Sequence, residues 1–251
     1  MPGRVILPGN TDNAYMCTVT FIKTSDKVFI TSNRDELALR PAALPPAIYG
    51  GDSGRIIFPK DGLAGGTWMA LHERGNAMVL LNGAFERHIH KPPYRLSRGL
   101  IFLQIFDSAT PVFTFQQIDL DQIEPFTLVI WQQHALWEAR WDGANKTWRP
   151  MPDDVMHIWS SATLYDEEVR HKREAWFDRW QAASPVISTE SIEQFHTFAG
   201  EGDAATDLRM NRDGLLQTVS ISNITISDTG SIFRYNDLLQ GGFYTQSFQE
   251  S

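Results

Sequence analysis

Met16-Cys17-Thr18-Val19-Thr20-Phe21-Ile22 runs through a polar Lys23-Thr24-Ser25-Asp26-Lys27 into Val28-Phe29-Ile30-Thr31-Ser32 and then Asn33-Arg34-Asp35-Glu36. The first apolar run alternates moderately, and the polar pentapeptide separates it from a second, so residues 17–32 predict a β-hairpin. That hairpin sets residues 33–36 at the end of its second strand, near the start of the first and within reach of Cys17. Cys17 is the only cysteine in 251 residues. If Met16 is the true start, or the chain is cut after it, Cys17 becomes N-terminal. Its thiol then has its own base in the α-amine, whose reference pKa is about 7.7–8.0. We therefore expect residues 1–15 to be a disordered leader or an over-long gene start, and 16–251 to form one domain.

Composition narrows the possible partners. With 42% hydrophobic residues the chain can bury a sizeable core. A formal net charge of −8 and a pI near 5.3 leave no basic footprint for nucleic acid or an anionic membrane. A small-molecule substrate or ligand is expected instead, with the oligomeric state open. No apolar run approaches the roughly 18 residues that span a bilayer. One cysteine forbids an internal disulfide or a cysteine-based zinc cluster, which fits a reducing, cytoplasmic setting.

Further along, residues 41–46 read as a proline-rich loop. Residues 65–71 and 77–82 read as a hairpin turning at Glu73-Arg74-Gly75-Asn76. Ser97 is placed to cap a helix carrying Leu100, Ile101, Leu103 and Ile105. Strands are predicted at 126–131, 135–141 and 157–160. The clearest helix covers 166–182, with Asp166, Glu167 and Glu168 at its start and a stripe of Val169, Trp176, Phe177 and Trp180. Another helix is predicted over 189–198, then a hairpin of 217–227 and 231–235. Strands and helices do not alternate regularly, so the order predicts an α+β fold with mainly antiparallel sheet.

The chemistry the sequence offers is acyl transfer. Cys17 supplies a nucleophile and its freed amine a base. Asp35 can accept from the α-ammonium, and Arg34 can favour the thiolate. Asn82, ending an apolar strand before Gly83, is the candidate oxyanion donor. Arg87, Lys91, Arg95 and Arg98 can attract an anionic substrate, and Trp68 follows a tight Gly65-Gly66 turn. His88 and His90 project from one face of an extended segment, which is compatible with metal or haem contact. With no third ligand nearby they read as part of a basic surface loop, and neither a metal nor a cofactor is expected. The Trp-rich stretch 131–159 reads as sheet core. Gly65-Gly66 lacks the Lys-Ser/Thr of a phosphate loop, and Asp203, Asp207 and Asp213 are too loosely spaced for an EF-hand.

Met16-Cys17, Asn33-Arg34-Asp35-Glu36 with Arg40-Pro41, and Gly65-Gly66-Thr67-Trp68 leading to Asn82 resemble the NRDE-motif family, named after the Transport and Golgi organisation 2 protein. Ser97-Arg98-Gly99 and Ser160-Ser161-Ala162 fit more loosely, and the resemblance covers nearly all of 16–236. That family in turn is similar to the N-terminal-nucleophile hydrolases, above all their cysteine branch of acylase and bile-salt-hydrolase type. The resemblance implies a four-layer αββα sandwich and hydrolysis of an amide or related acyl bond. Cys17, Arg34, Asp35 and Asn82 would be catalytic, with Asn33, Glu36 and Ser161 in support and Arg98 and Trp68 against substrate. The alternative is a non-enzymatic protein that binds or carries a haem-like or lipid metabolite. Two positions depart from the pattern: Ser161 stands where the acylase branch has Asn, and no Arg stands near Val219, where that branch has one.

Overall fold

Alternation of buried side chains across two stacked sheets decides the architecture. The computed structural model describes residues 18–183 and 186–249. Cys17 and the expected leader lie outside the described residues. The strands are β1 (Thr18–Lys23), β2 (Lys27–Leu37), β3 (Leu44–Gly50), β4 (Arg55–Lys60), β5 (Met69–His72), β6 (Ala77–Asn82), β7 (Phe126–Gln132), β8 (Ala135–Trp141), β9 (Lys146–Met151), β10 (His157–Ser160), β11 (Asn211–Arg212), β12 (Leu216–Ser227), β13 (Gly230–Asp237) and β14 (Gly242–Gln249). The helices are α1 (Arg98–Phe106), α2 (Pro111–Gln117), α3 (Glu167–Ala183) and α4 (Thr189–Phe198).

One sheet runs β10-β1-β2-β12-β13-β14, with β11 on the end of β12; the other is a meander from β3 to β9. Every strand pair is antiparallel. Val19, Phe21, Val28 and Ile30 of the first sheet share one buried core with Leu80, Val129 and Ile130 of the second. Ile22 and Phe29 point the other way, into a separate cluster with Trp176, Phe177, Ile192 and Phe195 of α3 and α4. Phe102, Phe106 and Phe115 of α1 and α2 cover the outer face of the second sheet. The layers are therefore helix, sheet, sheet, helix, an α+β fold of the expected four-layer kind.

Local chemistry explains the helix boundaries. Ser188 accepts from Ser191 N–H at 3.2 Å and Ser191 Oγ accepts from Ser188 N–H at 3.0 Å, a reciprocal box that starts α4 at the predicted Thr189. Ser97 Oγ accepts from Leu100 N–H at 3.3 Å and caps α1. Other expectations need correction. Residues 33–36 do not follow β2 but lie inside it, nearly fully buried. The proline-rich loop runs into β3, an edge strand whose register shifts between Leu44 and Ala47, where Pro45 and Pro46 sit. Gly65 to Trp68 precede β5 rather than belonging to it. Of the Trp-rich stretch, Trp131, Trp141 and Trp159 are core, whereas Trp148 is 45% exposed on the edge strand β9.

Asn33 fastens the first sheet to α4. Its Nδ2 donates to the carbonyls of His196 at 3.0 Å and Leu208 at 2.8 Å, and its Oδ1 accepts from His196 Nδ1 at 2.7 Å. Burial, with Arg173 nearby, pulls the His196 pKa down to about 3, so the ring is neutral. Its Nε2 is then an acceptor for Thr20 Oγ1 at 2.8 Å. Because the folded pKa lies below the unfolded one near 6.5, His196 lowers stability as pH falls from about 6.5 toward 3. Asn33→Ala strands the His196 carbonyl and ring N–H, each costing about 1–3 kcal/mol, and leaves the Leu208 carbonyl only the long 3.4 Å bond from Thr218 Oγ1. Urea denaturation at neutral pH is expected to show a loss of about 3 kcal/mol or more with unchanged m-value.

Candidate functional site

Four consecutive polar residues are buried in β2, and the pleat sends them to opposite faces. Asn33 and Asp35 face the α3–α4 layer. Asp35 accepts from Tyr165 Oη and Thr218 Oγ1, both at 2.5 Å. Tyr165 lies beneath Arg173, whose Cζ is 3.7 Å from the ring centroid. Arg173 in turn donates from Nη1 to Thr18 Oγ1 at 2.5 Å. Asp35 is thus linked through Tyr165 and Arg173 to the first described residue of β1.

Arg34 and Glu36 point between the sheets. Arg34 Nη2 donates to Asp61 Oδ2 at 2.6 Å and to Glu36 Oε2 at 3.2 Å, and its Cζ lies 4.3 Å from the centre of a Trp68 ring. Arg40, on the turn after β2, approaches Glu36 at 3.4 Å and bonds Asp61 at 3.1–3.2 Å. Burial pushes the Glu36 carboxyl up to about 7, against the charges of Arg34 and Arg40. Burial also acts to raise Asp61, but hydrogen bonds from Ala64 N–H and Arg40, with the charges of both arginines, take it below the usual carboxylate range.

The glycines before Trp68 allow close backbone approach. A Cβ on Gly66 would meet Gly99 C at 2.4 Å, and one on Gly99 would meet Thr67 O at 2.9 Å. The Gly65-Gly66-Thr67-Trp68 and Ser97-Arg98-Gly99 motifs therefore pack on each other, which brings the start of α1 to Trp68. Arg98, expected at the substrate, is buried and pairs with Glu124 Oε2 at 3.1 Å. His88 Nε2 and His90 Nδ1 both meet Glu124 Oε1, at 3.0 and 3.1 Å. They are half-buried on a carboxylate, not part of an open basic loop. Among the described residues no group of three or more His, Cys, Asp or Glu is placed to hold a metal ion.

Asn82 ends β6, with its backbone carbonyl accepting from Ser161 Oγ at 2.8 Å. Its Oδ1 is buried with no partner among the described residues. Thr18 pairs with Asn33 on one side and Ser160 on the other, so Arg34 and Ser161 are the next residues along those two neighbouring strands toward the start of β1. Val219 forms a bulge in β12 between Thr218, opposite Asp35, and Ser220, opposite Arg34. A cavity of about 580 Å³ opens on the Arg34 side, bordered by Arg34, Arg40, Trp68, His90 and the first residues of α1 but not by Asn82, Ser161 or Val219. Asp61, Tyr165, Arg173, Thr218 and Glu124 escape a sequence reading because each reaches the site from far along the chain.

A family model described as Transport and Golgi organisation 2 matches residues 16–214. The chain belongs to that family. Among solved structures the fold is similar to a Caenorhabditis elegans ortholog of N-acylethanolamine-hydrolyzing acid amidase. That match has a TM-score of 0.51 at 10% identity, covering 83% of this chain and 92% of the other. It is also similar to a variant of the conjugated bile acid hydrolase from Clostridium perfringens. The TM-score there is 0.50 at 7% identity, covering 94% and 97%. Among curated proteins no match is found. At such identities these likenesses show the fold, that of N-terminal-nucleophile hydrolases, and the family member here carries its NRDE residues inside a buried strand.

Glu36 gives a pH test of this geometry. Its folded pKa, about 7, lies above the ordinary 4.5, so the native state holds a proton that the unfolded state has lost between those values. Its contribution is fully present below about 4.5 and is lost as pH rises through 7. Glu36→Gln removes that slope. Chemical denaturation at pH 4.5 and pH 8 is expected to show the variant gaining on the parent by about 3 kcal/mol across the interval. Parallel stability curves would refute the buried, raised carboxyl.

Proposed function

We propose that this protein is an N-terminal-cysteine hydrolase acting on an amide or related acyl bond of a small metabolite. The observation that carries this reading is the convergence of Arg34, Ser161 and Asn82 at the end of the ladder where the chain joins β1. Removal of everything through Met16 gives Cys17 a free α-amine. The amine takes the thiol proton as Sγ attacks the acyl carbon, and Sγ–C forms while the carbonyl π pair moves to oxygen. Asn82 donates to that oxyanion. Collapse restores the carbonyl and breaks the C–N bond, and the departing nitrogen receives the proton held by the amine. Water then attacks the thioester, releases the acid and restores the thiol.

Arg34 serves the sulfur from the inter-sheet face and Asp35 the amine from the helix side. Ser161 holds the Asn82 backbone. Trp68 and Arg98 support the wall of the substrate cavity, and a cytoplasmic location agrees with the single thiol. Described residues include no helix long and apolar enough to cross a membrane. A binding protein without turnover is the second reading, favoured by the apolar side chains of Leu63, Leu80, Leu96 and Leu100 around the cavity. Titration with haem and a fatty-acyl panel tests it, and binding without release of any product would support it.

Intact-mass analysis of active protein is expected to show Cys17 as the first residue. Cys17→Ala should abolish capture of a thiol-reactive acyl probe without changing the melting temperature. Asn82→Ala should slow acylation by roughly 10²–10³-fold. Activity in protein that keeps residues 1–16 would overturn the mechanism.

A further inference from the structure

We propose that the cavity between Arg34, Arg40, Trp68 and the amino end of α1 is an anion site, built for the carboxylate or phosphate head of an amphipathic small molecule. This rests on the hydrolase reading only for what happens to the ligand afterwards, because binding itself does not involve Cys17.

Arg34 Nε, Arg40 Nη1 and Trp68 Nε1 are buried N–H groups without a partner among the described residues. All three residues border the same cavity. Such groups can only donate, so whatever satisfies them must bring lone pairs. The neighbouring carboxylate has none to spare. Asp61 already accepts from Arg34 Nη2, from Arg40 Nε and Nη2, and from the backbone N–H groups of Leu63 and Ala64. Glu36 is engaged with Arg34, Arg40 and Leu37 N–H. Leaving buried donors unpaired is destabilising, and a cluster of three bordering one hollow is the pattern of a site whose acceptor arrives with the ligand.

A further feature points the same way. The amino end of α1, a nine-residue helix, contributes Ser97 to Leu100 to the wall, and its dipole favours negative charge there. The remaining wall, including Leu63, Leu80, Leu96 and Pro93, is apolar and suits a hydrocarbon body. Because the donors are sealed from bulk solvent, small turns of the two guanidinium planes accompany binding.

Calorimetric titration of the full chain with octanoate, octyl phosphate and octanol tests the site. At least one anion is expected to bind tenfold or more tightly than octanol, and the tighter anion assigns the head group. Arg40→Gln should weaken that anion at least tenfold and leave octanol unchanged, and Trp68→Phe, which keeps the aromatic packing, should weaken it severalfold. Cys17→Ala should bind as the parent does, which separates failure of this site from failure of the hydrolase mechanism. Equal binding of octanol and both anions, or full anion affinity in Trp68→Phe and Arg40→Gln together, overturns the proposal.

Discussion

A guanidinium held almost wholly out of water between two sheets is the constraint around which this molecule is arranged. Desolvating a charge is tolerable only with close counter-charge and hydrogen bonds. Arg34 meets that requirement with Asp61 from the loop after β4, Glu36 from its own strand and the face of Trp68 from the loop before β5. Each partner fixes something else. Asp61 organises its own turn through Leu63 and Ala64 N–H groups. Trp68 is held where Gly66 and Gly99 approach so closely that neither position has room for a side chain. One buried charge thus ties β2 of the first sheet to the second sheet and, through it, to α1.

The alternation of β2 divides labour between its faces. Asn33 is held by His196 and Leu208, and Asp35 accepts from Tyr165 and Thr218, so both tie the strand to the helical layer. Arg34 and Glu36 face a cavity and keep unsatisfied or titratable chemistry. The two faces also respond oppositely to pH. His196 favours folding as pH rises from about 3 to 6.5, whereas Glu36 opposes it from about 4.5 to 7. Between 4.5 and 6.5 the contributions cancel, so this region contributes a broad plateau of stability on the acid side of neutrality.

How much was legible before the structure depended on whether an element's reason lies within its own residues. The capping serine, acidic first turn and apolar stripes of α3 and α4 are local, and both helices were placed within a residue of their bounds. Strands β8 and β10 likewise carry their own pattern. β3 and β9 do not, since both are edge strands in which prolines and charges are tolerated because one side needs no partner. The NRDE residues read as the end of the second strand, not its interior, because buried polar and charged groups are costly, and the partners that offset the cost, Asp61 for Arg34 and His196 for Asn33, lie 27 and 163 residues away. His88 and His90 read as surface for the same reason: Glu124 is 36 and 34 residues off. Candidate residues were visible as types and spacings, but which face each one serves was not.

Ser161 and Val219, the two departures from the acylase pattern, sit where the structure can compensate for them. Ser161 reaches the Asn82 carbonyl with a hydroxyl, so an oxygen donor holds the strand end that a carboxamide would otherwise approach. Val219 places a bulged, apolar residue in β12 opposite the Arg34–Asp35 step, so no positive charge enters from that strand. A second guanidinium nevertheless stands beside Arg34. Arg40 comes from the turn after β2, and it borders one small hollow with Arg34, Glu36 and Val219. Its pairing with Asp61 and Glu36 leaves the group of four neutral when Glu36 is ionised and net positive when Glu36 holds a proton. An incoming anion favours the protonated, positive form and so stabilises the state that receives it, a coupling that follows from placing a carboxyl with a pKa near 7 among two buried arginines.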